Sequence, residues 1–179
     1  RYVNFALANE FFMIADKQGV DIHRVINAAN YEYGRMAVPL PGPNVGGPCL
    51  FKDGKFLLTD IHFADLIQTS FHINEGMPDY VFNRIKSMNP NIKKVLILGL
   101  AFKADCDDTR NSLSYKLIKV CKKNGVEHDA IDPYVRDHNY DLNDLRKSEY
   151  DAVILMTPHK KFKDEYAKYI GGLRDDCLI

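Results

Sequence analysis

The sequence predicts an α/β protein in two parts: an all-helical half, residues 1–92, followed by a doubly wound parallel-sheet half, residues 93–179. Three observations predict it. Apolar residues recur at helical spacing up to about residue 90. The run Val95-Leu96-Ile97-Leu98 then ends at a glycine, as a buried strand does. From there apolar runs alternate with helical segments, which requires parallel strands joined by right-handed crossovers.

The first helix carries two apolar stripes. Val3, Leu7, Phe11 and Ile14 form one, and Phe5, Ala8, Phe12 and Ala15 the other. Apolar residues on two faces predict a helix covered on both sides, in a core or at a subunit interface. Gly19 is its expected stop, and Asp21 the N-cap of a second helix with Ile22, Val25, Ile26 and Ala29 on its apolar face. The prolines and glycines between Tyr31 and Gly47 predict an irregular loop. Helical patterning resumes near Cys49 and runs through Phe63, Leu66 and Ile67. It breaks near Gly76-Met77, with Pro78 in the first turn of the next helix. In the second half, residues 112–124 read as a helix and His128–Ile131 as a strand. Ala152–Met156 reads as a strand, Phe162–Tyr169 as a helix, and Cys177–Ile179 as the start of a fourth strand. This is a Rossmann-like pattern. The turn after its first strand, Gly99-Leu100-Ala101-Phe102-Lys103, lacks G-x-G-x-x-G, so a dinucleotide site of the usual kind is not expected there.

Formal net charge is zero, with 24 basic and 24 acidic residues, which argues against a nucleic-acid partner. No apolar run reaches the roughly 20 residues of a membrane span. Four cysteines at unrelated spacings, Cys49, Cys106, Cys121 and Cys177, suggest free thiols in a reducing cytoplasm. The six histidines show no metal-ligand spacing. The opening residues read as mid-helix and the last ones as a strand just begun, so the chain is expected to be a fragment.

The stretch Gly42–Asp53, GPNVGGPCLFKD, carries the most chemistry. A glycine-rich loop delivers Cys49 to the start of a helix, with Pro48 in a first helical position. Unpaired backbone donors there favour a thiolate. Lys52 adds positive charge one turn on, and Asp53, four residues after Cys49, can orient a water or accept a proton. The residues alone leave two readings open: a nucleophilic thiol, or a small residue packed beside a loop. Lys103 reads as a ligand contact at a strand end or as a solvated lysine. Asp107, Asp108 and Arg110 read as a cap and ion-pair cluster, with Arg110 also a candidate for function.

GGPCLFKD resembles the Gly-Gly-x-Cys-x-x-Lys-Asp signature of the UDP-glucose/GDP-mannose dehydrogenase family. Three further matches follow family order: GLAFKADCDDTRNS at Gly99–Ser112, Asp132-Pro133-Tyr134, and the helix with Asn9-Glu10 and Gly19-Val20-Asp21 followed by Arg35. The resemblance implies a central helical dimerisation domain at 1–92 and a UDP-sugar-binding domain at 93–179. The family's N-terminal NAD-binding domain is expected to be absent, and with it activity of this polypeptide alone. It implies oxidation of a sugar C6 hydroxyl to the uronic acid with two NAD, through a cysteine thiohemiacetal and thioester. By resemblance Cys49 is the nucleophile and Asp53 the partner of a catalytic water. Lys52 and Arg110 lie near the cofactor. Gly46, Gly47, Phe102 and Lys103 contact substrate, and Arg35 reaches substrate in the neighbouring subunit of a homodimer. Pro41-Gly42-Pro43 and Val45-Gly46-Gly47 are similar to members that oxidise UDP-N-acetylmannosamine, with Asn44 in place of a glycine. Cys49-Leu50-Phe51-Lys52-Asp53 is similar to those that oxidise UDP-glucose, and a GDP-sugar is the less favoured substrate. Two other readings compete: a non-catalytic nucleotide-binding and dimerisation module, and a different thiol enzyme, which would need a histidine near Cys49.

Overall fold

Helix α1, Tyr2–Gln18, ends at Gly19 in the left-handed conformation (φ 66°), which only glycine adopts without strain. Asp21 then caps α2, Ile22–Asn30, its carboxylate accepting the His23 and Arg24 N–H groups. Both boundaries are those the sequence predicts. The computed structural model describes residues 1–35, 37–56, 58, 61, 63–138 and 149–179.

The two stripes of α1 have different fates. Ala8 and Ala15 are buried, and Phe12 packs edge-on against Tyr80. Leu7, Phe11 and Ile14 are exposed, Ile14 by 56%. On α2, Ile22 and Ile26 are buried while Val25 faces out.

Two predictions for the rest of this half need correction. Helix α3 is short, Leu50–Phe56, and starts after Pro48 and Cys49 rather than with them. Residues 57–62 lie mostly outside the described residues, and Phe63 and Ala64 precede the next helix. Pro78 does not open a new helix; it lies inside α4, which runs unbroken over Asp65–Met88. A proline there removes the hydrogen bond to the carbonyl four residues back and crowds the preceding turn. The packing around it offsets that loss. Asn74 is fully buried, accepts from the Asn9 side chain (3.0 Å) and donates to the Tyr2 carbonyl (3.1 Å) on α1. Lys116 donates to the neighbouring Glu75 carbonyl from the helix at Ser114–Lys123.

Strand β1, Lys94–Leu98, pairs in parallel with β2, Glu127–Ile131, and with β3, Ala152–Leu155, in the order β2-β1-β3. The expected fourth strand appears as one parallel bridge, Leu178 to Ala152. Both faces of the sheet are covered, which is why β1 is apolar at successive positions. Val95 and Ile97 pack with Phe82 of α4 and with Leu117 and Cys121 of α5, Ser114–Lys123. Leu96 and Leu98 pack with Phe162 and Tyr169 on the other face. The predicted helix 162–169 is two helices, α6 at Lys160–Asp164 and α7 at Tyr166–Ile170. Positions seven apart on one helix would lie roughly 10 Å apart along its axis. The break at Glu165 brings the Phe162 and Tyr169 rings to 4.8 Å, edge to face, under the sheet. No described helix is long and apolar enough to cross a membrane.

Candidate functional site

The glycine loop crosses from the helices to the carboxyl ends of the strands. Its start is tied to the helical half: the Gly42 N–H donates to the buried Asn9 side chain (2.9 Å). Its end is seated on the segment after β1. Gly46 lies against the Asn111 carbonyl, which a β-carbon would meet at 2.3 Å. Gly47 (φ 105°) lies against the Phe102 ring, which a β-carbon would meet at 2.9 Å, and its N–H donates to the Asn111 carbonyl (3.4 Å). Three of the predicted substrate residues, Gly46, Gly47 and Phe102, are therefore one packed unit. Gly46→Ala must push the loop off a backbone carbonyl, which cannot give way as a side-chain tip can. The expected cost is about 1–3 kcal/mol. A chemical-denaturation midpoint that does not move would contradict this packing.

Cys49 follows this seat and is exposed. It is the residue just before α3, and its carbonyl accepts the Lys52 and Asp53 N–H groups, both at 3.0 Å. The side chains of Lys52 and Asp53 open to solvent. Arg110 is the other group near the thiol. Its guanidinium is held above its ordinary value by hydrogen bonds and charge from Asp108, with a smaller contribution from Cys49. Asp108 grips Arg110 through both carboxylate oxygens (2.7–3.1 Å) and also accepts its N–H. The ion-pair reading of Asp108 and Arg110 holds, but Asp108 does not cap the helix that follows, which opens behind Leu113 with no side-chain cap.

Lys103 is exposed beside Phe102. Arg35 is also exposed, in the turn after α2, and no described hydrogen bond or ion pair joins it to the loop. The other three cysteines are less exposed than Cys49. Burial pushes the Cys121 thiol up to about 11, Cys177 is half-buried with its thiol raised, and Cys106 is half-buried and donates to the Lys103 carbonyl. Among the described residues no group of His, Cys, Asp and Glu is arranged to hold a metal ion.

Sequence reasoning missed the residues that hold this region in shape. Asn44 bonds to five residues of the sheet half. Its Nδ2 lies within 2.9–3.2 Å of the Ala101 carbonyl and the Ser112, Ser114 and Thr157 hydroxyls, and its Oδ1 accepts the Leu113 N–H at 2.7 Å. Asp132, fully buried, accepts the N–H groups of Leu100, Ala101, Tyr134 and Val135 and bonds to His159 Nε2 (2.9 Å). The Asp105 N–H donates to His159 Nδ1 (2.9 Å), so the ring proton sits on Nε2 and points at Asp132. Asp132-Pro133-Tyr134 was visible as a motif, and Asn44 as a side chain among glycines. Neither signal names its partners.

The chain matches the UDP-glucose/GDP-mannose dehydrogenase family twice: its central domain over residues 1–76 and its UDP-binding domain over residues 96–178. It is similar to the UDP-N-acetyl-D-mannosamine dehydrogenase of Methanocaldococcus jannaschii, with 36% identity over 167 residues, covering 92% of this chain and 39% of that protein. It is similar in structure to the UDP-D-ManNAc dehydrogenase of Pyrococcus horikoshii (TM-score 0.83, 37% identity, 97% of this chain and 43% of that one). It is also similar to the UDP-N-acetyl-mannosamine dehydrogenase Cap5O of S. aureus (TM-score 0.80, 32% identity, 99% of this chain and 42% of that one). The chain thus spans about two fifths of the length of these relatives.

Proposed function

The chain belongs to the UDP-glucose/GDP-mannose dehydrogenase family, and on that premise we propose that it supplies the nucleophile and the UDP-sugar site of an NAD-dependent nucleotide-sugar 6-dehydrogenase. The observation that carries the proposal is the exposed Cys49 at the end of a glycine loop seated on Phe102. The substrate class is a UDP-N-acetylhexosamine, N-acetylmannosamine first, with UDP-glucose the nearest alternative. The names of the relatives and the Pro-Gly-Pro and Val-Gly-Gly segments both support it. The complete reaction is proposed for a protein of the relatives' length.

In this reading Phe102 and Lys103 hold the uridine diphosphate at the strand ends, the usual ligand position in an open α/β sheet. The exposed cations Lys52 and Arg110 fit the anionic dinucleotide. Two NAD molecules, bound in turn, each supply the capacity to accept one hydride. Cys49 Sγ adds to the C6 aldehyde produced by the first oxidation, giving a thiohemiacetal, and the second oxidation leaves a thioester. Asp53 takes a proton from the water that attacks the thioester, the C–S bond breaks, and the uronate leaves with the thiol restored. The exposed stripe Leu7, Phe11 and Ile14 is the proposed homodimer face, and Arg35 the residue that reaches across it to the partner's substrate. Free thiols fit work in a reducing cytoplasm.

The test is a panel of UDP- and GDP-sugars offered with NAD to the full-length protein, following NADH. The expected result is turnover of UDP-N-acetylmannosamine with about two NADH per sugar, the stoichiometry of a four-electron oxidation. Preference for GDP-mannose, or one NADH per sugar, would overturn it.

A further inference from the structure

Resting on that reading, we propose that Asn44 is a positioning residue that fixes Cys49 against the nucleotide-binding segment, so that the cysteine loop is registered to the sheet half. The handover between the two halves falls within three residues. Gly42 is held by Asn9 on α1, whereas the side chain of Asn44 is committed to the sheet half. Val45, Gly46 and Gly47 are all buried beyond it. Cys49, five residues past Asn44, therefore takes its position from the segments that end β1, open α5 and follow β3.

The proton inventory explains why the residue is an asparagine. The Ser114 hydroxyl donates to the Gly99 carbonyl (2.8 Å) and the Thr157 hydroxyl to the Ala101 carbonyl (2.6 Å). Each has a single proton, so both oxygens face residue 44 as acceptors. Asn44 Nδ2 shares its two protons among them, the Ser112 hydroxyl (3.0 Å) and the Ala101 carbonyl (2.9 Å). The Leu113 N–H, which can only donate, fixes Oδ1 on the opposite side at 2.7 Å. Residue 44 must offer two protons on one side and an acceptor on the other, where the Leu113 N–H and the Ser112 hydroxyl (3.3 Å) meet Oδ1, at the reach of one methylene. Aspartate accepts only, alanine and glycine do neither, and glutamine overshoots.

The nucleotide loop has other supports. The Ala101 N–H is held by Asp132 and its carbonyl by Thr157. Losing Asn44 should therefore move the nucleophile while leaving UDP binding in place. The experiment compares wild type, Asn44→Ala and Asn44→Asp in the full-length protein. It reads hydrogen exchange at residues 46–50 and at β1, UDP affinity by calorimetry, and kcat with UDP-N-acetylmannosamine. In Asn44→Ala, exchange at 46–50 should rise about tenfold with β1 unchanged. The kcat should fall about 100-fold, the scale of an ångström-sized misplacement, while the Kd for UDP stays within about threefold. Asn44→Asp keeps the Leu113 contact and should shift the same readouts in the same direction, and it carries the test if Asn44→Ala does not fold. Unchanged loop exchange with unchanged kcat would overturn the proposal, as would exchange that rises equally in β1. If wild type neither binds UDP nor oxidises a sugar nucleotide, the functional reading fails, while the exchange comparison still decides the role of Asn44.

Discussion

Cys49→Ser in the full-length protein should lower turnover of a UDP-N-acetylhexosamine by roughly 10³-fold or more, the scale seen when a covalent nucleophile is removed. The Kd for the sugar nucleotide should stay within about threefold, because the residue proposed to attack C6 does not hold the nucleotide. The substitution changes one atom and keeps the shape, and Gly46 and Gly47 fix the loop through contacts that do not involve the thiol. A serine hydroxyl at neutral pH is a far weaker nucleophile and forms no thioester, so the second oxidation loses its intermediate. A readout independent of turnover is available. Cys49 is exposed, whereas Cys121 is fully buried with its thiol pushed up to about 11. Iodoacetamide should therefore alkylate Cys49 well before Cys121, and a bound UDP-sugar should slow it at Cys49. Two results would end the assignment: a serine variant that keeps more than about a tenth of the wild-type kcat, or one that loses binding in step with rate.

The parts of this molecule that were legible in the sequence are those fixed by neighbours in the chain. Gly19 and Asp21 act within one turn of themselves, and the structure uses both as predicted. Val95–Leu98 was legible because a strand covered on both faces cannot alternate with polar residues. The glycine loop and the cysteine after it were legible as a motif, although α3 starts one residue past Cys49. The misreadings occur where distant packing overrides local preference. Pro78 stays within α4 because Asn74, four residues earlier, is locked to α1 across 65 positions of sequence. The helix after β3 breaks where Phe162 and Tyr169 meet edge to face under the sheet, which no local pattern announces. The hydrogen-bond groups around the site were hidden for the same reason. Asn44 meets Thr157 across 113 positions, and Asp132 meets Leu100 across 32.

Asp132→Ala should destabilise the fold by about 3–5 kcal/mol, among the largest effects expected of one substitution here. The carboxylate is fully buried and is the common acceptor for four backbone N–H groups and the His159 ring. Alanine leaves those donors without a partner and without water, and each orphaned donor costs about 1–3 kcal/mol before relaxation. Asp132 also contributes to the pH dependence, beside Asp129 and Asp151, whose carboxyls are likewise held below the ordinary value. Burial alone would raise its carboxyl, but the bonds from His159, Ala101, Leu100 and Tyr134 outweigh that and hold it at about 2, against an ordinary 3.8. A depressed folded value means that stability is complete above the unfolded value and is lost as pH falls toward the folded one. The window is therefore pH 4 down to pH 2, and the loss over it is about 2 kcal/mol. Urea midpoints across that range should fall more steeply for wild type than for Asp132→Asn, which has no carboxyl to protonate. Parallel profiles would show that the carboxylate is not held as described. The consequence reaches function, because Leu100 and Ala101 lead directly into Phe102 and Lys103. A chain that survives the loss of Asp132 should bind UDP more weakly, whereas one altered at Asn44 should bind it and fail to present the thiol.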